Sequence, residues 1–393
     1  MKRGYVFFIF LFFSAVLAST ASANPGFARK FGVGCPMCHE GFPTLNDFGE
    51  RFRDNGYQMP GKNVEESALD TGDKKLFLDP NINFAIRADG ILSFQNSGNT
   101  HSDFEGPDLL KLFIDGYLSK DVTFYSYFLA NENGKVIGLE DAFVYFNDLR
   151  GLPLDFMFGQ FQVSDPVYSR ELRMTSEDIA IYETQVSASH FDLTYQRGVQ
   201  IMYSPKWIDV DLGLVNGNGI APESPDGRFD NNSFKDPFLR LNLKMDPVSF
   251  GLYGFYGEDE DSSSKIKNHF YRAGPDIRIN QWIIPLDIKA QWLFGTDDNP
   301  DFSAAPSRSL NLNGGFVEAL WHISKDWKGI LLYNRVQVSE KPDLNVHSVT
   351  ANGTYYLLRN FKIFLEYTTD LEETSPAHPE EADHIEIGFT AAF

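Results

Sequence analysis

Two cysteines in 393 residues, Cys35 and Cys38, are too few for a disulfide framework to hold the chain together. Beyond the first residues, no stretch approaches the ~18 uncharged apolar residues of a membrane-spanning helix, so any bilayer crossing falls to strands. Positive charge is also scarce. Thirty-four Lys and Arg face 54 Asp and Glu, a net charge of −20. That argues against a nucleic-acid partner, which requires a basic face. The opening "MKRGYVFFIFLFFSAVLASTASA" has the parts of a secretory signal: Lys2 and Arg3, an apolar run from Tyr5 to Leu17, and small residues at Ala21-Ser22-Ala23. A retained anchor is the alternative, but the run is short for a span. The expectation is a signal peptide over 1–23 and a mature chain from Asn24, at −22 once Lys2 and Arg3 are lost.

Aromatic residues are plentiful, 15% of the chain with 36 Phe and 17 Tyr. Period-two alternation is pervasive from about Asn81 onward. In "IIPLDIKAQWLF", Ile284, Leu286, Ile288, Ala290, Trp292 and Phe294 share one face, and Asp287, Lys289 and Gln291 the other. "FLRLNLKM" sets Leu239, Leu241, Leu243 and Met245 against Arg240, Asn242 and Lys244. Such alternation predicts strands with one apolar and one polar face. About sixteen are expected, at 82–95, 109–118, 121–132, 139–147, 153–161, 192–204, 207–216, 235–245, 248–257, 267–279, 282–296, 310–322, 326–338, 346–357, 360–369 and 384–393.

A two-layer sandwich would bury the apolar faces in a core, whereas a membrane barrel turns them to lipid. Connection lengths decide between the two. Every second connection is tight, as at Ser119-Lys120, Asp246-Pro247 and Leu358-Arg359, while the others are mostly long and polar, as at 162–191, 217–234, 297–309 and 370–383. Short periplasmic turns alternating with long external loops predict an outer-membrane β-barrel. Trp207, Trp282, Trp321 and Trp327 lie beside the tight turns, where an interfacial girdle belongs. The end, "HIEIGFTAAF", resembles the terminal assembly strand of bacterial outer-membrane proteins. About sixteen strands enclose a water-sized lumen. The loop 162–191, carrying Arg170, Arg173, Glu177 and Asp178, reads either as a constriction or as an ordinary surface loop.

Between the signal and the barrel stands "CPMCH", the C-x-x-C-H attachment sequence of a c-type haem. Cys35 and Cys38 would form the thioether links and His39 would reach the iron. A redox CxxC would need a thioredoxin-like context, and zinc lacks a fourth ligand nearby. From Pro43 or Thr44 to Asn55 a helix is expected, with Leu45, Phe48 and Phe52 on one stripe and Gly56 as its stop. Gly49 would permit close approach of either the porphyrin or a neighbouring segment. Met59 is the candidate sixth ligand; an open site or a ligand from the barrel are the alternatives. The segment is only about 50 residues and rarely would such a piece fold alone. It is therefore expected to lean on the barrel as a plug at the periplasmic mouth or within the lumen.

The stretch Phe27-Ala28-Arg29, Cys35 to His39, Phe42-Pro43-Thr44-Leu45, Phe48-Gly49 and Asn55-Gly56-Tyr57 resembles the N-terminal cytochrome of the fused cytochrome c–porins of iron-oxidising bacteria. The resemblance covers roughly a tenth of the mature chain; over the barrel it is one of architecture only. It implies one covalent haem c, extracellular Fe(II) as electron donor and a periplasmic cytochrome as acceptor.

The expected organisation is thus signal peptide 1–23, monohaem segment 24–75 and porin-like barrel 76–393. The expected function is electron transfer across the outer membrane, with ferrous iron oxidation the leading chemistry. Acidic loops at Glu258 to Asp261, at Asp297, Asp298 and Asp301, and from Asp370 to Asp383 fit a cationic donor, or serve simply to solvate. The competing readings are outward electron transfer and a porin for small anionic solutes, with Arg240, Lys244, Arg272, Arg278 and Lys289 lining the path. Pairing of these cations with Asp209, Asp211, Asp276 and Asp287 is the plainer alternative.

Overall fold

The computed structural model describes residues 26–60, 68–73, 75–96, 100–224, 226–304, 308–371 and 383–393. The signal peptide, His378 and the acidic residues 372–382 lie outside the described residues. The described chain begins with helix α1 (Gly26–Phe31), a 3₁₀ turn (Cys35–Met37), a small hairpin of β1 (His39–Gly41) and β2 (Thr44–Leu45), and helix α2 (Asp47–Asp54).

Sixteen long strands follow. They are β3 (Asn83–Asn96), β4 (Thr100–Ser119), β5 (Val122–Glu132), β6 (Gly138–Phe146), β7 (Leu154–Gln162), β8 (Tyr195–Tyr203), β9 (Ile208–Val215) and β10 (Asp236–Met245). The second half comprises β11 (Val248–Glu260), β12 (Lys267–Asn280), β13 (Leu286–Asp297), β14 (Leu310–Trp321), β15 (Trp327–Val338), β16 (Val346–Leu358), β17 (Phe361–Asp370) and β18 (His384–Ala392). Each pairs antiparallel with the next, and β18 returns to β3, closing the barrel. The terminal Phe393 completes the seam: its carbonyl accepts from Ile86 N (2.7 Å) and its N–H donates to Ile86 O (2.9 Å). Closure leaves no unpaired sheet edge, which a bilayer requires.

The two faces of the wall follow the alternation. Leu239, Leu241, Leu243, Leu252, Leu331, Leu365 and Ile387 are exposed on the outside, whereas Arg240, Asn242, Asp276, Asn352, Lys362 and Glu366 are buried within. Trp207, Trp282, Trp321 and Trp327 are each at least half exposed beside the tight turns, as a girdle at the membrane boundary demands. An exterior of this kind is the reverse of a soluble sandwich and places the wall in lipid.

Three boundaries differ materially from the sequence expectation. β4 begins at Thr100, not 109, because "THSDFEGPD" pairs with the far end of β3. Beyond the lipid neither face need be apolar, so alternation vanishes while the hydrogen-bond ladder continues. β13 begins at Leu286, not 282. The helix expected from residue 43 or 44 begins at Asp47, after Asn46, whose side chain accepts from Gly49 N (2.9 Å) as an N-cap. Residues 39–45 form the short hairpin instead.

The longest connection, residues 163–194 between β7 and β8, folds into the barrel and carries the four-residue helix α3 (Ala180–Glu183). Val163, Val167, Ile181, Tyr182, Val186 and Phe191 join one apolar core with inward-facing Phe238, Phe255, Phe270, Leu293, Phe316 and Val336. Polar ties cross the lumen as well. Tyr168 Oη donates to Glu318 (2.5 Å), Tyr182 Oη to Gln291 (2.6 Å) and Lys111 to Glu171 (2.5 Å), while Glu366 accepts from the backbone of Ser176 and Glu177 (3.0 and 2.9 Å). The loop is therefore no surface excursion. It bridges several walls of the barrel around an apolar cluster.

Candidate functional site

The C-x-x-C-H motif is locally well determined. Pro36 opens the 3₁₀ turn, and Cys38 N donates to Cys35 O (3.1 Å). Side chains three apart eclipse in such a turn, so both thiols lie on one side. Both are free and half-buried. Burial pushes both thiols up in pKa, and nearby Arg359 partly offsets this at Cys35.

The β1–β2 hairpin orients His39. Its Nδ1–H points at two backbone carbonyls, Pro43 O (3.0 Å) and Thr44 O (3.3 Å). Carbonyls only accept, so the proton sits on Nδ1 and the Nε2 lone pair is left for a metal. Tying the second ring nitrogen to a carbonyl is how ligating histidines are commonly held. Burial lowers the His39 pKa, against these two bonds, keeping the ring neutral as ligation requires. Behind the motif, Gly49 approaches the Cys38 carbonyl so closely that a Cβ would lie 2.1 Å from that oxygen. Helix α2 thus crowds the motif's own backbone.

The barrel provides much of the surroundings. A cavity of about 450 Å³ beside Cys35, His39 and Phe42 is also lined by His322, Lys325, Lys328, Tyr356 and Arg359. That volume falls in the usual range of ~300–1,000 Å³ for small-molecule sites. Tyr356 Oη donates to Phe42 O (2.7 Å). A sulfur pair on one side, a neutral imidazole with its outer nitrogen free, and an adjoining cavity fit a covalent haem c. Cys35, Cys38 and His39 would hold it.

Met59 is buried, but it is not among the residues lining this cavity. Met37, between the cysteines, is 40% exposed. The residues missed by sequence reasoning come from the turns after β14 and β16 and from the adjoining ends of β15 and β16, some 280 to 320 positions away. The one local hint was the basic turn "HISKDWK" beside a predicted girdle.

Helix α2 and the chain after it lie against inward side chains near the tight-turn ends of the strands. The carbonyls of Asp54, Asn55 and Gly56 accept from Tyr145 (2.7 Å), Asn147 (2.8 Å) and Thr123 (2.9 Å). These are end-of-helix carbonyls without intrahelical partners, here satisfied by β5, β6 and the turn after β6. Tyr57 stacks on Tyr125 at 4.8 Å, and Glu50 pairs with Arg278 at 3.4 Å. Lys30 reaches Asp79 (2.9 Å) and lies 4.1 Å from the Tyr117 ring centre.

The proposed anion path is largely neutralised. Arg240 pairs with Asp276 (2.7 Å), Lys244 with Asp209 (2.5 Å) and Arg272 with Asp297 (2.7 Å), while Lys289 sits over the Tyr168 ring. Arg170 is held by Asp178 (3.0 Å), Glu140 and Glu132 (both 3.5 Å), and Arg173 by Asp178. Several acidic loop residues are likewise committed. Glu258 pairs with Lys267 (2.7 Å), Asp259 is buried against His190, and Asp297 is fully buried. Those three are internal counter-ions and not an exposed attractor for cations. Among the described residues, no group of three or more His, Cys, Asp and Glu side chains forms a metal cluster.

No family model matches the chain, and no curated relative matches it. Solved structures do. The barrel is similar to OmpF of Salmonella typhi, solved in complex with daunomycin, at a TM-score of 0.58 and 10% identity, covering 79% of this chain and 97% of that one. The outer-membrane channel DcaP of Acinetobacter baumannii gives 0.57 and 10%, covering 80% and 97%. An anion-selective porin from Comamonas acidovorans gives 0.56 and 9%, covering 79% and 98%. At these identities the likeness is one of fold: the chain folds as a sixteen-stranded outer-membrane β-barrel.

Proposed function

We propose that this barrel carries one haem c, attached through Cys35 and Cys38 and ligated by His39, and passes electrons across the outer membrane. The leading donor is extracellular Fe(II) and the acceptor a periplasmic cytochrome, as in the fused cytochrome c–porins that the N-terminal motif resembles. The observation that carries the reading is the His39 ring. Its Nδ1–H is spent on the Pro43 and Thr44 carbonyls, and the ring lines a cavity together with Cys35, one turn of chain from the second free thiol, Cys38.

When bound, the haem would supply a one-electron centre; no general acid or base is required of the protein. The chain's own residues position and enclose it. The hairpin fixes the imidazole tautomer, Tyr356 pins the hairpin through Phe42, and the contacts of α2 with β6 and β12, and of Gly56 and Tyr57 with β5, support a plug-like role for the segment. The apolar core that residues 163–194 share with the barrel wall supports the same reading, because it places apolar side chains inside a lumen that a water-filled pore would line with polar ones.

The second reading, a channel for small anionic solutes, draws on the porin fold. Against it stands the pairing of Arg240, Lys244 and Arg272 with carboxylates.

The test is anoxic titration of the purified, detergent-solubilised protein with Fe(II), followed by visible absorption. A c-type spectrum, a covalent haem stain that weakens or disappears in Cys35→Ala, and rapid reduction by Fe(II) are expected. Attached haem that Fe(II) leaves oxidised would remove iron as donor. Absence of attached haem would overturn the proposal.

A further inference from the structure

The cavity beside Cys35 and His39 has a charge balance opposite to that of the chain. Apart from the motif itself, its titratable lining is Glu40, His322, Lys325, Lys328, Tyr356 and Arg359. That is three basic side chains against one carboxylate on the wall, with Asp326 behind Arg359 and Asp287 behind His322, in a protein of net charge −20.

Lys328 is the unusual member. It is only 3% exposed, and its ammonium donates to His322 Nδ1 (2.9 Å) and not to a carboxylate. His322 in turn gives its Nε2–H to Asp287 (2.6 Å). The imidazole thereby stands between Lys328 and Asp287, and Glu40 is the carboxylate that shares the cavity wall with Lys328. A buried ammonium without a direct counter-ion is costly, and this one lines an open cavity. Arg359 stands at the rim, held by Asp326 (2.8 Å) and by the Lys325 carbonyl (2.8 Å), with its side chain 42% exposed. A guanidinium so fixed is suited to paired contacts with a carboxylate or phosphate.

We infer that Lys328, with Arg359 and Lys325 at its rim, is an anion seat that receives the propionate carboxylates of the haem. The inference rests on the haem reading above and adds the barrel's part in it. Lys328 on β15, with Lys325 and Arg359 on the turns after β14 and β16, would hold the propionates, while Cys35, Cys38 and His39 would hold the haem through its thioether links and its iron. Attachment would then fasten the N-terminal segment to the wall through the cofactor as well as through the protein contacts already described. The same seat chemistry would also accept a free oxyanion, so the test separates the two sources.

The experiment compares haem-loaded wild type with Lys328→Met, Arg359→Gln and Lys328→Arg, each checked for barrel folding by its heat-modifiable migration. Readouts are the propionate bending band in the resonance Raman spectrum and the midpoint potential. Removing a cation from beside the propionates leaves their negative charge uncompensated and favours the ferric state. Lys328→Met is therefore expected to shift the propionate band and lower the potential. Arg359→Gln should do the same to a smaller degree, and Lys328→Arg should restore most of both.

A folded, haem-loaded Lys328→Met and Arg359→Gln with unchanged band and potential would overturn the seat while leaving the haem reading intact. Wild type without covalent haem would overturn both. In a haem-free Cys35→Ser/Cys38→Ser protein, inorganic phosphate is the probe. Lys328-dependent phosphate binding there, with no effect of Lys328→Met on the loaded protein, would make the cavity a free-anion site and likewise overturn the seat.

Discussion

Replacing Phe191 by Ala tests whether residues 163–194 are a fixed part of the barrel's interior. Phe191 is 1% exposed and stacks on Phe270 at 4.2 Å, with Phe255 at 4.5 Å on the same side chain. Arg272 lies 5.8 Å from its ring. Truncating a buried Phe to Ala costs about 3–5 kcal/mol in transfer and cavity terms. All of that cost falls on the seam between loop and wall, so it reduces the free energy holding the loop inside. At about 1.4 kcal/mol per factor of ten, the loop-released state should become at least about 100-fold more populated.

Trypsin reads this directly. Arg170 and Arg173 are sheltered in the lumen, whereas the Arg228 side chain on an external loop is 62% exposed. When opening and closing are fast relative to cleavage, the cleavage rate tracks the open population. Cutting at Arg173 relative to Arg228 should therefore be slow in wild type and rise by about two orders of magnitude in Phe191→Ala. The lipid-facing Leu365→Ala serves as control and should leave the ratio unchanged. Equal cutting at Arg173 and Arg228 in folded wild type would refute the internal core, as would a Phe191→Ala ratio no different from wild type.

Other perturbations probe separate parts of the structure. Arg240→Met leaves Asp276 buried without its partner and should destabilise the barrel by about 3–5 kcal/mol, read as a lower denaturant midpoint for loss of heat-modifiable migration. Gly49→Val places atoms against the Cys38 carbonyl, so the expected outcome is reduced covalent haem per barrel, measured by haem stain against protein, with the barrel itself still folded. His190 has its pKa raised, first by its bond to Asp259. A raised folded value means that the contribution is fully present below the unfolded pKa of ~6.5. It is lost as pH rises through the higher folded value. Thermal midpoints of wild type and His190→Gln should thus differ most at acidic pH and converge above neutrality; a difference that grows with pH would contradict the assignment.

What the sequence determined by itself is the wall. Lipid imposes the same demand at every strand: one apolar face, with polar residues opposite. "FLRLNLKM" therefore names its outer and inner residues without knowledge of any partner. The tight turns, the tryptophan girdle and the strand count follow from the same local demand. The C-x-x-C-H motif is equally local, since Cys35, Cys38 and His39 are placed by one 3₁₀ turn and the hairpin that follows it.

Tertiary structure alone decided what fills the barrel. The inner faces answer to whatever sits inside, and those contacts join positions far apart. Tyr168 meets Glu318, Glu50 meets Arg278, and Phe42 meets Tyr356. A trace of this is present in the sequence. Leu293 lies inward between Trp292 and Phe294, and Ile330, Leu332 and Val336 are apolar where a water-filled lumen would call for polar groups. Such a run says that something dry lies opposite; only the fold identifies it as the loop between β7 and β8. Pairing of the lumen cations was legible as one reading of the sequence, but which carboxylate each takes, Asp276 for Arg240 and Asp297 for Arg272, and the cationic wall beside His39, were hidden for the same reason. A charge has meaning only with its neighbours, and these neighbours are brought together by barrel closure.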